Sequence, residues 1–458
     1  MNIRKILCFS VIMLIVLCVA LFYAFQKHKR TNMLVIGYGQ SLMTGMEGWP
    51  ALTTHSEVDN AFMIGDSVRP DSRRSQHYKP VGNSVRPLTS TVQQVNDSSK
   101  LVSSEYVSKL KRGSINEGEE PIVGAVTAFS GFRIGFFESL FGMNAGVSGS
   151  DILQISKGSG YYKRFTDAVK IFNSVSIIEK REPVVSSIVF MQGEMNYMPT
   201  YENAPQDYDR YLFALKNLHK NMLSDAVSIT KQKDKPLFFM YQTGGSFSRD
   251  TNDLSIGMAQ LDFSNTTDGV YMVGPTYQYP DKGGHLGPNG YRWFGVQIAK
   301  VMHQVIDKGV NWKPLQPLSV SLSNDKVVVR YSVPYPPLKF TEAYVKYDPV
   351  MYDDKGFTLY DSNGRVDISS VEITAQDEIT ITPVRKITGP AKLFYADKTY
   401  HNGNGNISDS DDTVSPYKYE YMEGSGQYPE SNVKELVGKP YPLNNFSVAF
   451  CLTVAFNK

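Results

Sequence analysis

The chain has 458 residues, 41% of them hydrophobic and 20% charged, and its 47 Lys and Arg against 45 Asp and Glu leave a formal net charge of +2. This is the composition of a globular protein of two or three domains, long enough to bury its own core, and it excludes a disordered or fibrous chain. With no basic excess it gives no support to nucleic-acid binding.

Residues 1–30 contain Arg4, Lys5, Lys27, Lys29 and Arg30 and no acid; taking these five from 47 leaves 42 basic against 45 acidic side chains, a net charge of −3 for the remainder. Between the basic flanks runs Ile6–Phe25, twenty residues without a charge. A helix of that length spans about 30 Å, the hydrocarbon thickness of a bilayer, and a helix of a soluble domain has no need to be apolar on every face. The run is therefore expected to contact a membrane as an anchor or signal segment. The rest of the chain is expected outside the cytoplasm, periplasmic or at the cell surface, or secreted if the segment is cleaved. Cys8 and Cys18 lie in this run, which leaves Cys451 alone; a single cysteine forms neither an intrachain disulfide nor a cysteine-based zinc site.

Met33–Gly37 reads as a short buried strand followed by Gly39-Gln40-Ser41. From Thr44 to about Glu120 the pattern is irregular, as expected of loops that cover a site. Arg69, Arg73, Arg74 and Arg86 in this stretch are expected at the surface or at the carboxylate of an acidic sugar. Val123–Phe141 reads as an apolar helix, followed by the glycine-bearing turn Asn144–Ser150. Val184–Met191 is a continuous β-branched run, the pattern of a strand buried on both faces. Tyr208–Ile229 is an amphipathic helix with Leu212, Leu215, Leu218 and Met222 on one side. Leu237–Tyr241 and Val270–Val273 read as strands and Ile256–Phe263 as a helix. Asn289–Ile306 reads as a helix with Tyr291, Phe294, Ile298, Val301 and Val305 on one face. Strands alternating with helices imply a parallel sheet, whose ligand site lies beyond the carboxyl ends of the strands.

Pro314–Pro317 marks a boundary. Beyond it short alternating segments (320–322, 326–331, 371–374, 378–382 and 393–395) predict an all-β sandwich. His401–Ser415 is polar and reads as a loop. Three units are thus expected: 1–30, 31–311 and 312–458.

Four short blocks carry the chemistry. In Gly39–Met43, a serine directly after a buried strand is exposed at the sheet edge, as a nucleophile and an oxyanion-hole amide require; serine in such a turn also serves as a helix cap. The glycines of Asn144–Ser150 let a backbone N–H approach a ligand. Gln192-Gly193-Glu194-Met195-Asn196 follows a strand and offers side-chain amides. In Asp281–Tyr291, His285 stands where it can activate Ser41, with an acid four positions before it. His55, His77, His219, His303 and His401 have no comparable setting.

Together these blocks resemble the SGNH hydrolase superfamily, in particular its carbohydrate-esterase branch of sialate O-acetylesterases and acetylxylan esterases. The chain matches Gly-Gln-Ser-x-Met at 39–43, with Leu42 where the family has Asn, and Gln-Gly-Glu-x-Asn at 192–196. Three residues separate Asp281 from His285, where the family has two. The resemblance implies a flavodoxin-like three-layer α/β domain with a parallel sheet, followed by the β-sandwich-like unit. It implies Ser41 as nucleophile, His285 as base, Asp281 as its orienting acid, and an oxyanion hole from Ser41, Gly149 and Gln192, with Asn196 as an alternative donor. Gln40 and Glu194 would support the site. It further implies an acetylated carbohydrate substrate such as sialic acid or another acetylated glycan, and no cofactor or metal. A glycan O-acetyltransferase on the same residues and an inactive glycan-binding protein are the alternatives. The resemblance leaves the oligomeric state unspecified.

Overall fold

The computed structural model describes residues 31–111, 114, 116–133, 138–198, 203–244 and 253–456, together with Met13. The apolar run 6–25 lies outside the described residues apart from Met13. Among the described residues no helix is long and apolar enough to cross a membrane.

The first part of the chain builds a seven-stranded sheet from β1 (Thr31–Gly39), β2 (Ala61–Ile64), β3 (Val85–Pro87), β4 (Ser139–Asn144), β5 (Glu182–Met191), β6 (Leu237–Gln242) and β7 (Val270–Pro275), in the order β3-β2-β4-β1-β5-β6-β7. All neighbouring pairs are parallel except β2 with β3. Successive side chains of a strand point to opposite faces. On β1, accordingly, Leu34, Ile36 and Tyr38 enter one core and Val35 enters the other. The first core holds α2 (Tyr162–Ile178), α3 (Tyr208–Thr230) and α4 (Ser255–Thr266); the second holds α1 (Pro121–Phe132) and α5 (Pro288–Met302). The result is a parallel-rich mixed sheet covered by helices on both sides.

Several expectations need correcting here. The helix expected over 123–141 is α1 alone: Pro121 occupies its first turn, Glu120 caps it by accepting from the Ile122 and Val123 amides, and it ends at Phe132. Leu140 and Phe141, at the end of the expected run, belong to β4, whose six residues are all buried, and periodicity does not separate a buried strand from a buried helix; residues 134–137 lie outside the described residues. The 44–120 stretch is not only loop, since β2 and β3 extend the sheet there. The helix α2 joins the expected set.

Beyond β7 the chain is β-rich. Strands β8 (Gln316–Ser323), β9 (Lys326–Ser332), β12 (Ile368–Ala375), β13 (Glu378–Pro383) and β16 (Ala455–Phe456) form one sheet, and β10 (Phe357–Asp361), β11 (Gly364–Val366), β14 (Lys392–Tyr395) and β15 (Phe450–Thr453) another. Val329, Ile379 and Ile381 of the first and Leu359, Leu393 and Phe450 of the second share one core. The polar 401–415 segment is mostly loop, as expected, but much of it is buried. His401 closes a one-turn helix, Lys398–His401, and is 2% exposed.

Segment 409–445 returns to cover the outer face of α5, which is why every residue of that helix is buried. Trp293 stacks on Tyr441 with ring centroids 5.2 Å apart, and Lys300 Nζ donates to Asp411 Oδ2 at 2.8 Å. A buried ammonium is tolerable only when paired in this way.

Candidate active site

Ser41 opens a one-turn helix, Ser41–Thr44, directly after β1. The turn demands glycine before it: Gly39 has φ +144, and a Cβ there would lie 2.0 Å from the Met191 carbonyl oxygen on the adjacent β5. Gln40 fastens the turn to the neighbouring loop, its amide donating to Met191 O at 2.8 Å and its side-chain oxygen accepting from the Gly193 and Met195 amides at 3.2 Å each. The serine side chain therefore stands at the carboxyl edge of the sheet on backbone held from both sides.

His285 comes from the loop between β7 and α5. Its Nε2 lies 2.9 Å from Ser41 Oγ. Its Nδ1 faces a carboxylate oxygen of Glu47 at 3.5 Å. Glu47 follows the Ser41 turn by a few residues and sits in the left-handed backbone region at φ +62, a conformation rare for a side chain of its size and frequent at functional sites. Burial alone would raise the Glu47 carboxyl, but its hydrogen bond to His285 and the charges of His285 and Lys282 outweigh burial and hold it below the usual carboxylate range. The Lys282 ammonium donates to the Glu47 carbonyl at 2.8 Å and lies 4.3 Å from the centre of the Trp49 ring. Burial pushes the Lys282 amine down to about 8 against the pull of the Glu47 carboxylate.

A crevice of about 270 Å³ opens on Ser41 and is lined also by His285, Glu47, Gly149, Arg73, Glu194 and Met195. Of the expected site residues, the structure brings Gln40, Ser41, Gly149, Glu194 and His285 to this crevice.

Three others have their hydrogen bonds elsewhere. Asp281 Oδ1 accepts from the amides of Gly283 at 2.6 Å and Gly284 at 3.1 Å. The carboxylate thus caps its own turn, and the acid at His285 Nδ1 is Glu47. Burial raises the Asp281 carboxyl, opposed by those two amides and by the charges of Lys346 and His285. Gln192 and Asn196 are fully buried and do not line the crevice. The Gln192 amide nitrogen donates to Asn196 Oδ1 at 2.6 Å and to Ser150 O at 3.3 Å, while Asn196 Oδ1 accepts from the Ile152 amide at 3.2 Å and its Nδ2 donates to Pro205 O at 2.8 Å. These two amides knit the loop that carries Gly149, φ +77, to the loop after β5. Glu194 accepts from the Tyr241 hydroxyl, and burial raises its carboxyl despite that bond.

The arginines expected at the surface divide. Arg86 is exposed and ion-paired with Asp66. Arg69 is 2% exposed and donates to Gln93 Oε1, Gly118 O and Thr91 O, so it organises the loop from within.

A hydroxyl bonded to an imidazole whose far nitrogen faces a carboxylate is an arrangement that activates an oxygen nucleophile. Among the described residues no group of three or more His, Cys, Asp or Glu is placed to hold a metal ion. Glu47 is the component that sequence reasoning missed. Its backbone conformation is invisible in sequence, and it sits at the head of a stretch that reads as loop.

No family model matches the sequence, and no curated protein matches it. Among solved structures, the chain is similar to XAC1771, a carbohydrate acetylesterase from Xanthomonas citri, at 11% identity and a TM-score of 0.51, over 92% of this chain and 80% of that one. A carbohydrate esterase family 2 enzyme with its carbohydrate-binding domain, from Corynascus thermopiles, aligns at 13% identity and a TM-score of 0.30, over 60% of this chain and 67% of that one. A protein from Arabidopsis thaliana aligns at 12% identity and a TM-score of 0.38, over 59% of this chain and 98% of that one. The first likeness concerns the fold; the other two are too loose to bear an argument.

Proposed function

We propose that the chain is a serine carbohydrate O-acetylesterase of the SGNH type that removes acetyl groups from sialic acid or another acetylated glycan. The observation that carries this reading is the 2.9 Å hydrogen bond between Ser41 Oγ and His285 Nε2 inside a crevice at the carboxyl edge of a parallel sheet. Strand order supports the flavodoxin-like assignment. With the outermost pair β2 and β3 set aside, the remaining five strands read 2-1-3-4-5 in chain order, the arrangement whose switch point lies beside its first strand, where Ser41 stands. We divide the chain accordingly into an esterase unit, 31–311, and an accessory β unit, 312–458. The likeness in fold to XAC1771, itself a carbohydrate acetylesterase, adds to this reading.

In the proposed reaction Ser41 Oγ attacks the acetyl carbonyl carbon while His285 Nε2 takes the hydroxyl proton. Glu47 stabilises the imidazolium that forms and fixes the ring so that Nε2 faces the serine. The oxyanion is received by the backbone amides of Ser41 and Gly149. Collapse breaks the bond to the sugar oxygen, which leaves with the proton from His285. Water, deprotonated by the same imidazole, then attacks the acetyl-serine; the bond to Ser41 Oγ breaks, acetate leaves, and His285 returns the proton to Ser41 Oγ. Gln192 and Asn196 act as positioning residues for the Gly149 loop.

The test is acetate release by the full chain from a panel of O-acetylated sugars beside an aryl acetate, with Ser41→Ala and His285→Ala. Activity lost in both variants supports the mechanism. Activity retained in Ser41→Ala, or a folded wild type that releases no acetate, overturns it.

A further inference from the structure

Three arginines converge on the loop over the crevice, and their guanidinium groups are treated differently. Arg69 commits its donors to Gln93 and to backbone carbonyls, as described above. Arg164 is 1% exposed and donates to the carbonyls of Ser75 at 2.6 Å, Gly146 at 2.8 Å, Ser72 at 2.8 Å and Arg73 at 2.5 Å. Arg73 is the third. Its backbone is gripped, its carbonyl by Arg164 and its amide by Ser98 Oγ at 3.2 Å. Its side chain lines the crevice with Ser41 and His285. Yet Arg73 Nε is buried without a hydrogen-bond partner among the described residues, and its ion pair to Glu117 Oε1 is long, at 3.7 Å. The same Glu117 oxygen accepts from the Ser148 hydroxyl at 3.1 Å.

A buried guanidinium donor left unsatisfied is expensive unless a ligand completes it. The other crevice carboxylates do not complete it: Glu47 faces His285, and Glu194 accepts from Tyr241. Arg73 also lines a second hollow of about 390 Å³, together with Asp71, Arg74 and Asn96. It therefore stands as a wall between the nucleophile and space beyond. The planar fork of arginine matches a carboxylate in two-point fashion.

Resting on the esterase reading of this crevice, we infer that Arg73 is a specificity-determining residue that binds the carboxylate of an acetylated acidic sugar and turns its acetyl ester toward Ser41, the remainder of the glycan extending past Arg73 into the second hollow.

The experiment compares an O-acetylated uronic acid with its methyl ester, which keeps the sugar and the acetyl group and removes the charge. Both are hydrolysed by wild type, Arg73→Gln, Arg73→Lys and the exposed control Arg86→Gln. Wild type is expected to prefer the acid by about 10- to 100-fold in kcat/KM, the range of a two-point charged hydrogen bond. Arg73→Gln is expected to collapse that ratio, Arg73→Lys to restore part of it, and Arg86→Gln to keep it. Because the readout is a ratio, a general loss of activity cancels. A wild-type ratio near one, or a ratio unchanged in Arg73→Gln, overturns the inference.

Binding of the unacetylated uronic acid to the Ser41→Ala protein, followed by NMR, separates the two readings. Preference for the acid over its methyl ester that disappears in Ser41→Ala/Arg73→Gln supports the carboxylate site even where no acetate is released. Equal binding of acid and ester overturns the site while leaving the esterase reading intact.

Discussion

Among the described residues four histidines face carboxylates, and two of them, His285 and His401, have contrasting settings. His285, 24% exposed at its side chain, has Ser41 Oγ on Nε2 and the Glu47 carboxylate on Nδ1 at 3.5 Å. His401, 2% exposed in the β-rich region, has Asp397 on Nδ1 at 2.6 Å and Asp354 on Nε2 at 2.8 Å. Burial alone would lower the His401 imidazole, but its bonds to Asp354 and Asp397 and their charges outweigh burial and push it up to about 9. An imidazole between two acids is locked as a cation and holds structure together. One between a hydroxyl and a single acid can take a proton and give it back. What distinguishes the two rings is that the second nitrogen meets a hydroxyl in one and a second carboxylate in the other.

The largest expected effect breaks the His285 side of this comparison. His285→Ala or Ser41→Ala should lower turnover by about 10⁴-fold or more, as loss of a member of such a relay does, measured as acetate release on an aryl acetate. The next sharpens it by asking which acid serves the ring. Glu47→Gln keeps size and hydrogen bonding but removes the charge that stabilises the imidazolium, and should lower kcat by about 10²-fold or more. Asp281→Asn, whose carboxylate caps the Gly283–Gly284 turn, should lower it by less. If Asp281→Asn proves the more damaging, Asp281 is the orienting acid and the Glu47 assignment fails.

The same contrast explains what was legible in the sequence. Buried strands such as β5 and β6, and helices with a clear stripe such as α3, are written in local periodicity, and the structure has them within a residue or two of expectation. Ser41 and His285 stand at the carboxyl ends of such strands, so topology alone brings them to one edge. Sequence reading names Asp281 and misses Glu47, because the choice depends on a left-handed residue and on which amides a carboxylate reaches. Gln192 and Asn196 failed as crevice residues for a related reason: a side-chain amide at a strand end donates equally well to a ligand or to a loop, and only the packed chain decides. α2 was readable, since Phe165, Val169 and Phe172 have helical spacing and are fully buried, but it begins after Tyr161 without a side-chain cap. The polar 401–415 segment gives no sign in sequence of its burial, because Asp411 meets Lys300 on α5 and His401 sits between Asp354 and Asp397 instead of facing water.

The smallest effect on activity, and a distinct one on stability, comes from the clasp. His401→Gln removes the cation between Asp354 and Asp397 and should destabilise the fold by about 3 kcal/mol, as breaking a buried pair from one side does, with acetate release per folded molecule unchanged. The wild type should carry the same signature in its pH dependence. The His401 pKa lies near 9 when folded against 6.5 for the free side chain. The folded state thus holds the proton more tightly, and the contribution of the clasp is complete below about pH 6.5 and disappears as pH rises through about 9. Urea denaturation of wild type and His401→Gln across this range should therefore give midpoints that are far apart at pH 6 and converge by pH 10. Parallel curves would mean that the ring is neutral between its two acids, and the contrast with His285 would be lost.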